Sequence, residues 1–148
     1  RDVMVHEAAG SKVPSLLPSL PGMTLIDTPG ALVTDVNPIL HAADLIILPT
    51  SLRQADLDTL GAAAGVAVAS GTPAVIVLTR VHPRTRVENV AHLFEGLGLP
   101  LCPYRLAERV IYDHAFCAGK AAAELESIGP AAEESRDVAN WIAAHGCP

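Results

Sequence analysis

The residues best suited to chemistry follow a short apolar run at positions 23–26, Met-Thr-Leu-Ile. Asp27 comes directly after this run, and the turn behind it consists of Thr28, Pro29 and Gly30. A short apolar run bounded by turn residues predicts a strand buried on both faces, over residues 23–27. Open α/β sheets bind ligands at the carboxyl ends of their strands, where Asp27 would lie. A carboxylate there can hold Mg²⁺, and the backbone N–H groups after it can reach a phosphate.

A second interpretation of the same residues needs no ligand. Asp27 can simply begin a turn after a core strand, since Asp, Pro and Gly all favour turns. These eight residues alone do not separate the two interpretations, so the sequence after Gly30 has to decide between them.

Composition predicts one globular domain, residues 1–148, with a core large enough to be stable. Half of the residues are hydrophobic but only 3% are aromatic, which favours a core of small aliphatic side chains between closely packed helices and a sheet. The net charge of −6 argues against a dedicated nucleic-acid binder. Residues 80–120 nevertheless carry six Lys/Arg and four Asp/Glu, so a polyanion would be met there.

The cysteines and the uncharged stretches indicate the cellular setting. Cys102, Cys117 and Cys147 are odd in number and form no Cys-x-x-Cys pair, which favours a reducing, cytosolic compartment. Residues 59–79 lack charge and are long enough to raise the question of a membrane span. The Ser-Gly-Thr-Pro break at positions 70–73 instead predicts a helix, a turn and a buried strand, so no membrane segment is expected.

Strand-like and helix-like segments alternate along the chain. Strands are predicted at residues 3–6, 23–27, 45–49, 74–78 and 99–103. Helices are predicted at residues 11–20, where prolines make the helix irregular, and at 38–43, 51–70, 86–96, 106–118 and from 130 onward. The helices from 51 and 86 rest on capping-box spacings, Ser51 with Gln54 and Thr85 with Glu88. This alternation predicts an α/β fold with a mostly parallel sheet and helices on both faces.

From about residue 24 to 142 the chain resembles the C-terminal half of the ParA/MinD family of deviant Walker-type ATPases, closest to ParA partition proteins. The order and spacing of several short segments carry the resemblance. They are Asp27-Thr28-Pro29-Gly30, residues 43–49 (ADLIILP), residues 51–60, residues 81–86 (VHPRTR), residues 109–116 (RVIYDHAF), Gly119-Lys120 and residues 131–134 (AAEE). The resemblance implies a P-loop NTPase-like fold, with ATP and Mg²⁺ as cofactors.

The resemblance also implies roles for single residues. Asp27 matches the Walker B aspartate, a catalytic residue and metal ligand that holds the Mg²⁺ shell and the attacking water. The γ-phosphate-sensing loop is matched by Thr28, Pro29 and Gly30. Thr79, beside Arg80, stands where the family commonly has an asparagine that contacts adenine. Leu106 lies in the segment 103–108, which matches the loop that runs over the base.

The family's P-loop has no counterpart in this chain. No stretch supplies Gly-x-x-x-x-Gly-Lys-Ser/Thr, so the nest of N–H groups for the phosphates is missing. We therefore expect no ATP hydrolysis by this chain alone, whether it is a fragment or a natural remnant. In the family, the strand leading to the P-loop lies between those matching residues 23–27 and 45–49. The isolated chain should accordingly dimerise or aggregate through these strands, unless the two strands pair directly.

Three alternative functions remain open. Asp-Thr-Pro-Gly is also the third motif of many GTPases, but the Asn-Lys-x-Asp that reads guanine is replaced here by residues 79–82, Thr-Arg-Val-His. The chain could instead be a P-loop-less module that binds an intact ATPase or DNA and regulates it. The third alternative is an α/β domain that uses no nucleotide.

Basic residues group around two predicted strand-to-helix corners: Arg80, Arg84, Arg86, Arg105 and Arg109. Each alone could be solvated or paired with a glutamate such as Glu88. Together they are the best candidate for a surface that contacts a phosphate backbone, with Arg80, Arg84 and Arg86 as the DNA-binding residues. The resemblance implies non-specific DNA binding by an ATP-bound dimer, a centromere-binding ParB-type partner and a nucleoid-associated protein of the bacterial cytoplasm.

Overall fold

A computed structural model describes residues 4–28 and 36–146. Within these residues the strands are β1 (Ile46–Thr50), β2 (Ala74–Val81) and β3 (Leu101–Ala107). The α-helices are α1 (Val13–Leu16), α2 (Asn37–Ala42), α3 (Gln54–Ser70), α4 (Val110–Cys117), α5 (Ala122–Leu125) and α6 (Pro130–Gly146). Short 3₁₀ turns lie at Gly10–Lys12, Leu17–Ser19, Val87–Asn89, Ala91–Leu93 and Glu95–Leu97.

The strands form one parallel sheet in the order β1-β2-β3. Ile46 of β1 lies opposite Ala74, and Ile76 of β2 lies opposite Leu101 of β3. Parallel neighbours need long crossover connections, and α3 supplies the one between β1 and β2. The α/β class and the parallel sheet predicted from the sequence are confirmed.

Helices cover both faces of this sheet. On one face Ile76 and Leu78 of β2 pack with Leu60 of α3. On the other face Val77 packs with Cys102 of β3 and Val138 of α6. Successive side chains of a strand point to opposite faces, so the continuous apolar run of β2 is buried on both sides.

Helix α3 lies within the helix predicted over residues 51–70, and it buries one of its faces. Its buried residues are Leu60, Ala64 and Ala67, whereas Val68 is 53% exposed. The helix ends at Gly71, whose φ of 73° is the left-handed conformation favoured by glycine. In the described part of the chain, no helix combines the length and apolar character needed to cross a membrane.

The predicted strand at residues 23–27 is not formed. This segment carries no regular secondary structure, and Met23 and Leu25 are 88% and 80% exposed. A strand requires a neighbouring strand for its backbone hydrogen bonds, and none of the described strands pairs with this segment. Direct pairing of residues 23–27 with β1 is therefore absent as well. The predicted strand at 3–6 is likewise absent over residues 4–6, and residue 3 lies outside the described residues.

One side of β1 has no strand partner among the described residues. Ile46 donates its backbone N–H to the carbonyl oxygen of Pro73 at 2.8 Å, which orients the backbone groups of Ile46 toward β2. Because alternate residues bond to opposite sides, the backbone groups of Ile47 and Pro49 are directed away from β2. Pro49 has no N–H to donate, which suits an edge strand. The Ile47 side chain is 37% exposed.

The segment between β2 and β3 departs from the predicted helix at 86–96. It forms three separate 3₁₀ turns, and the capping box of Thr85 with Glu88 does not form there. Burial of Val87 and Phe94 in the α3-side core holds this segment in place, so packing prevails over the local helix signal. Gly98, with a φ of 68°, ends the last turn, and β3 begins two residues later than predicted.

Strand β3 also continues further than predicted. Leu106 belongs to β3 and packs with Val77 and Cys102, so the helix that we predicted from residue 106 begins only at Val110. The final helix begins at Pro130 as predicted, and Trp141 and Ile142 pack beside Val138. The irregular helix at 11–20 and the short helix at 38–43 are confirmed as short helical segments.

Truncating Leu60 to Ala should lower the free energy of unfolding by about 2–4 kcal/mol, because this side chain fills the core between α3 and β2. Val68→Ala on the same helix is the matched control and should change it by less than about 1 kcal/mol, since Val68 is exposed. Urea unfolding followed by circular dichroism measures both. Equal losses for the two variants would contradict the packing described here.

Candidate functional site

The carboxyl ends of the three strands meet at one edge of the sheet, here called the carboxyl edge. Thr79 near the end of β2 is in register with Leu106 of β3. The Thr79 hydroxyl donates to the carbonyl oxygen of Thr50 at the end of β1, at 3.3 Å. Thr79 and Leu106, which the family resemblance places near a nucleotide base, are thus direct neighbours.

Arg80 follows Thr79 at the carboxyl edge in an unusual backbone conformation. Its φ of 50° is left-handed, which costs a non-glycine residue about 1–2 kcal/mol. The pairing of β2 with β3 shifts register between Thr79 and Val81, and this irregularity contains Arg80. The exposed Arg80 guanidinium lies 3.9 Å from the carboxylate of Asp56 in the first turn of α3.

Asp56 is held by a second contact, from Ser51. The buried Ser51 hydroxyl donates to Asp56 Oδ2 and accepts the backbone N–H of Arg53 at 3.1 Å. Arg53 is the residue that precedes α3, and no side chain caps this helix. The predicted capping box of Ser51 with Gln54 is therefore wrong, because Ser51 bonds to Asp56 and Gln54 donates instead to Asp58.

An exposed ion pair joins the loops that follow β1 and β3. Arg53 and Glu108 approach to 3.7 Å, with about two thirds of each side chain exposed. Such pairs contribute little to stability, on the order of 0–1 kcal/mol. The carboxyl edge therefore presents two guanidinium groups, of Arg53 and Arg80, each beside a carboxylate. Hydroxyl and guanidinium groups of this kind can orient a polar ligand, but they form no nucleophile–base pair.

Of the residues predicted to hold Mg²⁺ and the γ-phosphate, the structure describes Asp27 and Thr28, and neither belongs to a strand of the sheet. Asp27 is exposed and Thr28 is half-buried, both in the unpaired segment, while Pro29 and Gly30 lie outside the described residues. Over residues 4–28 and 36–146, no group of three or more His, Cys, Asp or Glu side chains is arranged to hold a metal ion. Asp27 alone offers one carboxylate, so the described residues do not by themselves fit Mg-ATP, and no catalytic step follows from them.

The predicted DNA-binding residues occupy two different environments. Arg80 lies at the carboxyl edge beside Asp56. Arg84 and Arg86 line a groove of about 800 Å³ together with Arg105 of β3. The remaining lining residues are Pro83, Thr85, Val87, Glu88, Asn89 and Pro103. We call this cavity the arginine groove.

Glu134 of α6 is a central residue that the sequence did not single out. Its carboxylate accepts two hydrogen bonds from Arg109, at 2.8 and 3.1 Å, and one from the backbone N–H of Ala107 at 3.1 Å. Arg105 lies 3.9 Å away. These contacts attach α6 to the end of β3 and to the residue that precedes α4.

The environment of Glu134 changes its protonation. Burial by itself raises the pKa of this carboxyl group, whose side chain is only 12% exposed. The hydrogen bonds from Arg109 and Ala107 and the charges of the two arginines outweigh burial, so the pKa lies below its ordinary value of 4.5. In turn, the hydrogen bond to Glu134 raises the pKa of Arg109.

No protein-family model matches this sequence, and no significant match was found among curated proteins. A functional assignment therefore depends on the residues and on the geometry described above.

Replacing Glu134 by Gln should lower the free energy of unfolding at pH 7 by about 1–3 kcal/mol, because Arg109 loses its charged acceptor. Because the pKa of Glu134 is lowered in the folded state, its carboxylate contributes fully to the free energy of unfolding above pH 4.5. That contribution is lost as the pH falls through the lower folded value. The difference in unfolding free energy between the unmodified chain and E134Q should therefore shrink below pH 4.5.

Urea titrations at several pH values between 7 and about 3 measure this difference, since the window must reach below the ordinary carboxyl pKa. The adjacent, exposed Glu133 provides the control, because Glu133→Gln removes the same charge and Glu133 is in no ion pair with the described side chains. E133Q should unfold like the unmodified chain at every pH. A difference for E134Q that stays constant over the whole range would contradict the pairing.

Proposed function

We propose that this chain is the C-terminal part of a ParA-type partition ATPase. It contributes the base-contacting side of a nucleotide site, and the P-loop that binds the phosphates and the Mg²⁺ lies outside this chain. In this proposal the chain alone neither binds nor hydrolyses ATP. A dimer, non-specific DNA and a centromere-binding ParB-type protein are the partners that the proposal includes.

The observation that carries the proposal is the incomplete edge of the sheet. β1 has a free side among the described strands, and the apolar segment at residues 23–26 exposes Met23 and Leu25 instead of pairing with it. If a further strand belongs between residues 23–27 and β1, these two segments cannot pair with each other directly. The ParA family has such a strand, the one that leads to its P-loop.

The carboxyl edge supports the same proposal. Thr79 and Leu106 are neighbours where α/β sheets bind ligands, and both match positions near the base in the family. The Thr79 hydroxyl already donates its proton to Thr50, so its oxygen can still accept a hydrogen bond from a base. In the proposed complete site, Asp27 would move to the end of a newly paired strand and supply a carboxylate for Mg²⁺.

Joining the P-loop half of a ParA protein to the amino end of this chain should create a site for Mg-ATP. Titration calorimetry of the unmodified chain should show no binding at micromolar nucleotide, because the chain has no phosphate-binding loop. The chimera should bind one Mg-ATP, and Asp27→Asn should weaken Mg-dependent binding by about tenfold or more.

Asp44→Asn is the control in the chimera, since Asp44 is also an exposed aspartate close to the start of a strand. This variant should bind Mg-ATP like the parent chimera. A folded chimera without ATP affinity would overturn the proposal. So would tight one-site binding of Mg-ATP by the unmodified chain that persists in the double variant Arg84→Ala with Arg86→Ala, because it would require a phosphate site outside the arginine groove.

A further inference from the structure

The arginine groove is a concave site that the proposed nucleotide site does not use. It is formed by the segment that follows β2 and by Pro103 and Arg105 of β3, rather than by Thr79 and Leu106. Its volume of about 800 Å³ is in the range of small-molecule pockets, which is roughly 300–1,000 Å³.

The charge of the groove is strongly biased. Arg84, Arg86 and Arg105 line it, against the single carboxylate of Glu88. Arg84 and Arg86 are exposed, and neither is in an ion pair within the part of the chain that the structure describes. Guanidinium groups bind phosphate oxygens through paired hydrogen bonds, so two arginines without a carboxylate partner form a suitable anion site.

Arg105 adds a donor group with incomplete hydrogen bonding. Its Nη2 donates to the carbonyl oxygen of Pro83. This bond connects β3 to residues 82–87, here called the groove loop. Its Nε is buried and has no hydrogen-bond partner among the described residues. A buried N–H group without an acceptor is unfavourable. An anion bound next to Arg105 would remove this cost if one of its oxygens accepted the Nε–H.

The groove loop is fixed in position by contacts at both ends. The Arg84 backbone N–H donates to the His82 ring at 3.1 Å, and the Thr85 backbone N–H donates to the His82 carbonyl oxygen at 2.8 Å. Val87 is buried in the core next to Leu60 and Ile76. The arginines therefore extend from a backbone that is already ordered, which reduces the entropic cost of binding.

We propose that the arginine groove binds a small ligand that carries two or more phosphate groups, with Arg84 and Arg86 as the principal contacts. The volume of the groove accommodates a small oligophosphate in contact with both Arg84 and Arg86. The Thr85 hydroxyl and the Asn89 amide also line the groove and provide further donors. This site is independent of the ParA assignment, because it uses neither Asp27 nor the carboxyl edge.

Inorganic tripolyphosphate is the probe for this site, titrated calorimetrically into the full chain at low salt. We expect saturable binding at one site with a dissociation constant below about 1 mM. The double variant Arg84→Ala with Arg86→Ala should weaken binding by about tenfold or more. Glu88→Gln should strengthen binding severalfold, since it removes the groove's one carboxylate, and a misfolded protein could not produce this gain.

Arg136→Ala is the matched control, because it removes the charge of an exposed arginine on α6 that does not line the groove. Its affinity should equal that of the unmodified chain. Absence of saturable binding, or an equal loss for Arg136→Ala, would overturn the proposal.

A second titration with a short DNA duplex separates the two sources of phosphate. Tripolyphosphate that binds and displaces any bound duplex would support the small-ligand site. A duplex that binds while tripolyphosphate neither binds nor competes would overturn it, and would assign the arginines to a nucleic-acid surface instead.

Discussion

Backbone hydrogen bonding at the free side of β1 is the constraint on which the rest of the structure depends. Each strand residue brings a donor and an acceptor, and a parallel ladder satisfies them only on the sides where a neighbour exists. β2 has a partner on both sides, whereas β1 has one partner among the described strands. Met23 and Leu25 are exposed because residues 23–27 have strand composition but pair with none of the described strands.

The opposite edge strand, β3, also has a single strand partner, and polar contacts hold its carboxyl end. Glu134 receives hydrogen bonds from Arg109 and from the backbone of Ala107, and it thereby joins α6, β3 and the start of α4. The ion pair of Arg109 with Glu134 is largely buried and short, unlike the exposed pair of Arg53 with Glu108. Both β1 and β3 are thus edge strands among the described residues, and the proposal places the missing strand beside β1.

The sequence predicted those parts of the fold that are encoded locally. β2 and α3 were recognisable because a continuous apolar run and a clear stop signal at Gly71 lie within a few residues of each other. Residues 23–27 were not predictable in the same way, since the same composition forms a strand only beside another strand. The turns at 86–96 were misjudged because burial of Val87 and Phe94 prevails over a capping pattern.

The residues of the candidate site also differ in whether the sequence could identify them. Thr79 and Leu106 were named because they match family positions near the base, and the structure places them opposite each other on β2 and β3. Glu134 and the separation of Arg80 from Arg84 depend on contacts between distant segments, for which a single sequence carries no signal.

Hydrogen exchange at single backbone amides of β1 tests the central claim of an incomplete sheet most directly. The amides of Ile46 and Leu48, which are directed toward β2, should exchange slowly, and that of Ile47 should exchange rapidly in dilute solution. If the protection of the Ile47 amide grows with protein concentration, a second copy pairs with the free side of β1, which we also expect. Protection of Ile47 that is equal to that of Ile46 and independent of concentration would contradict it.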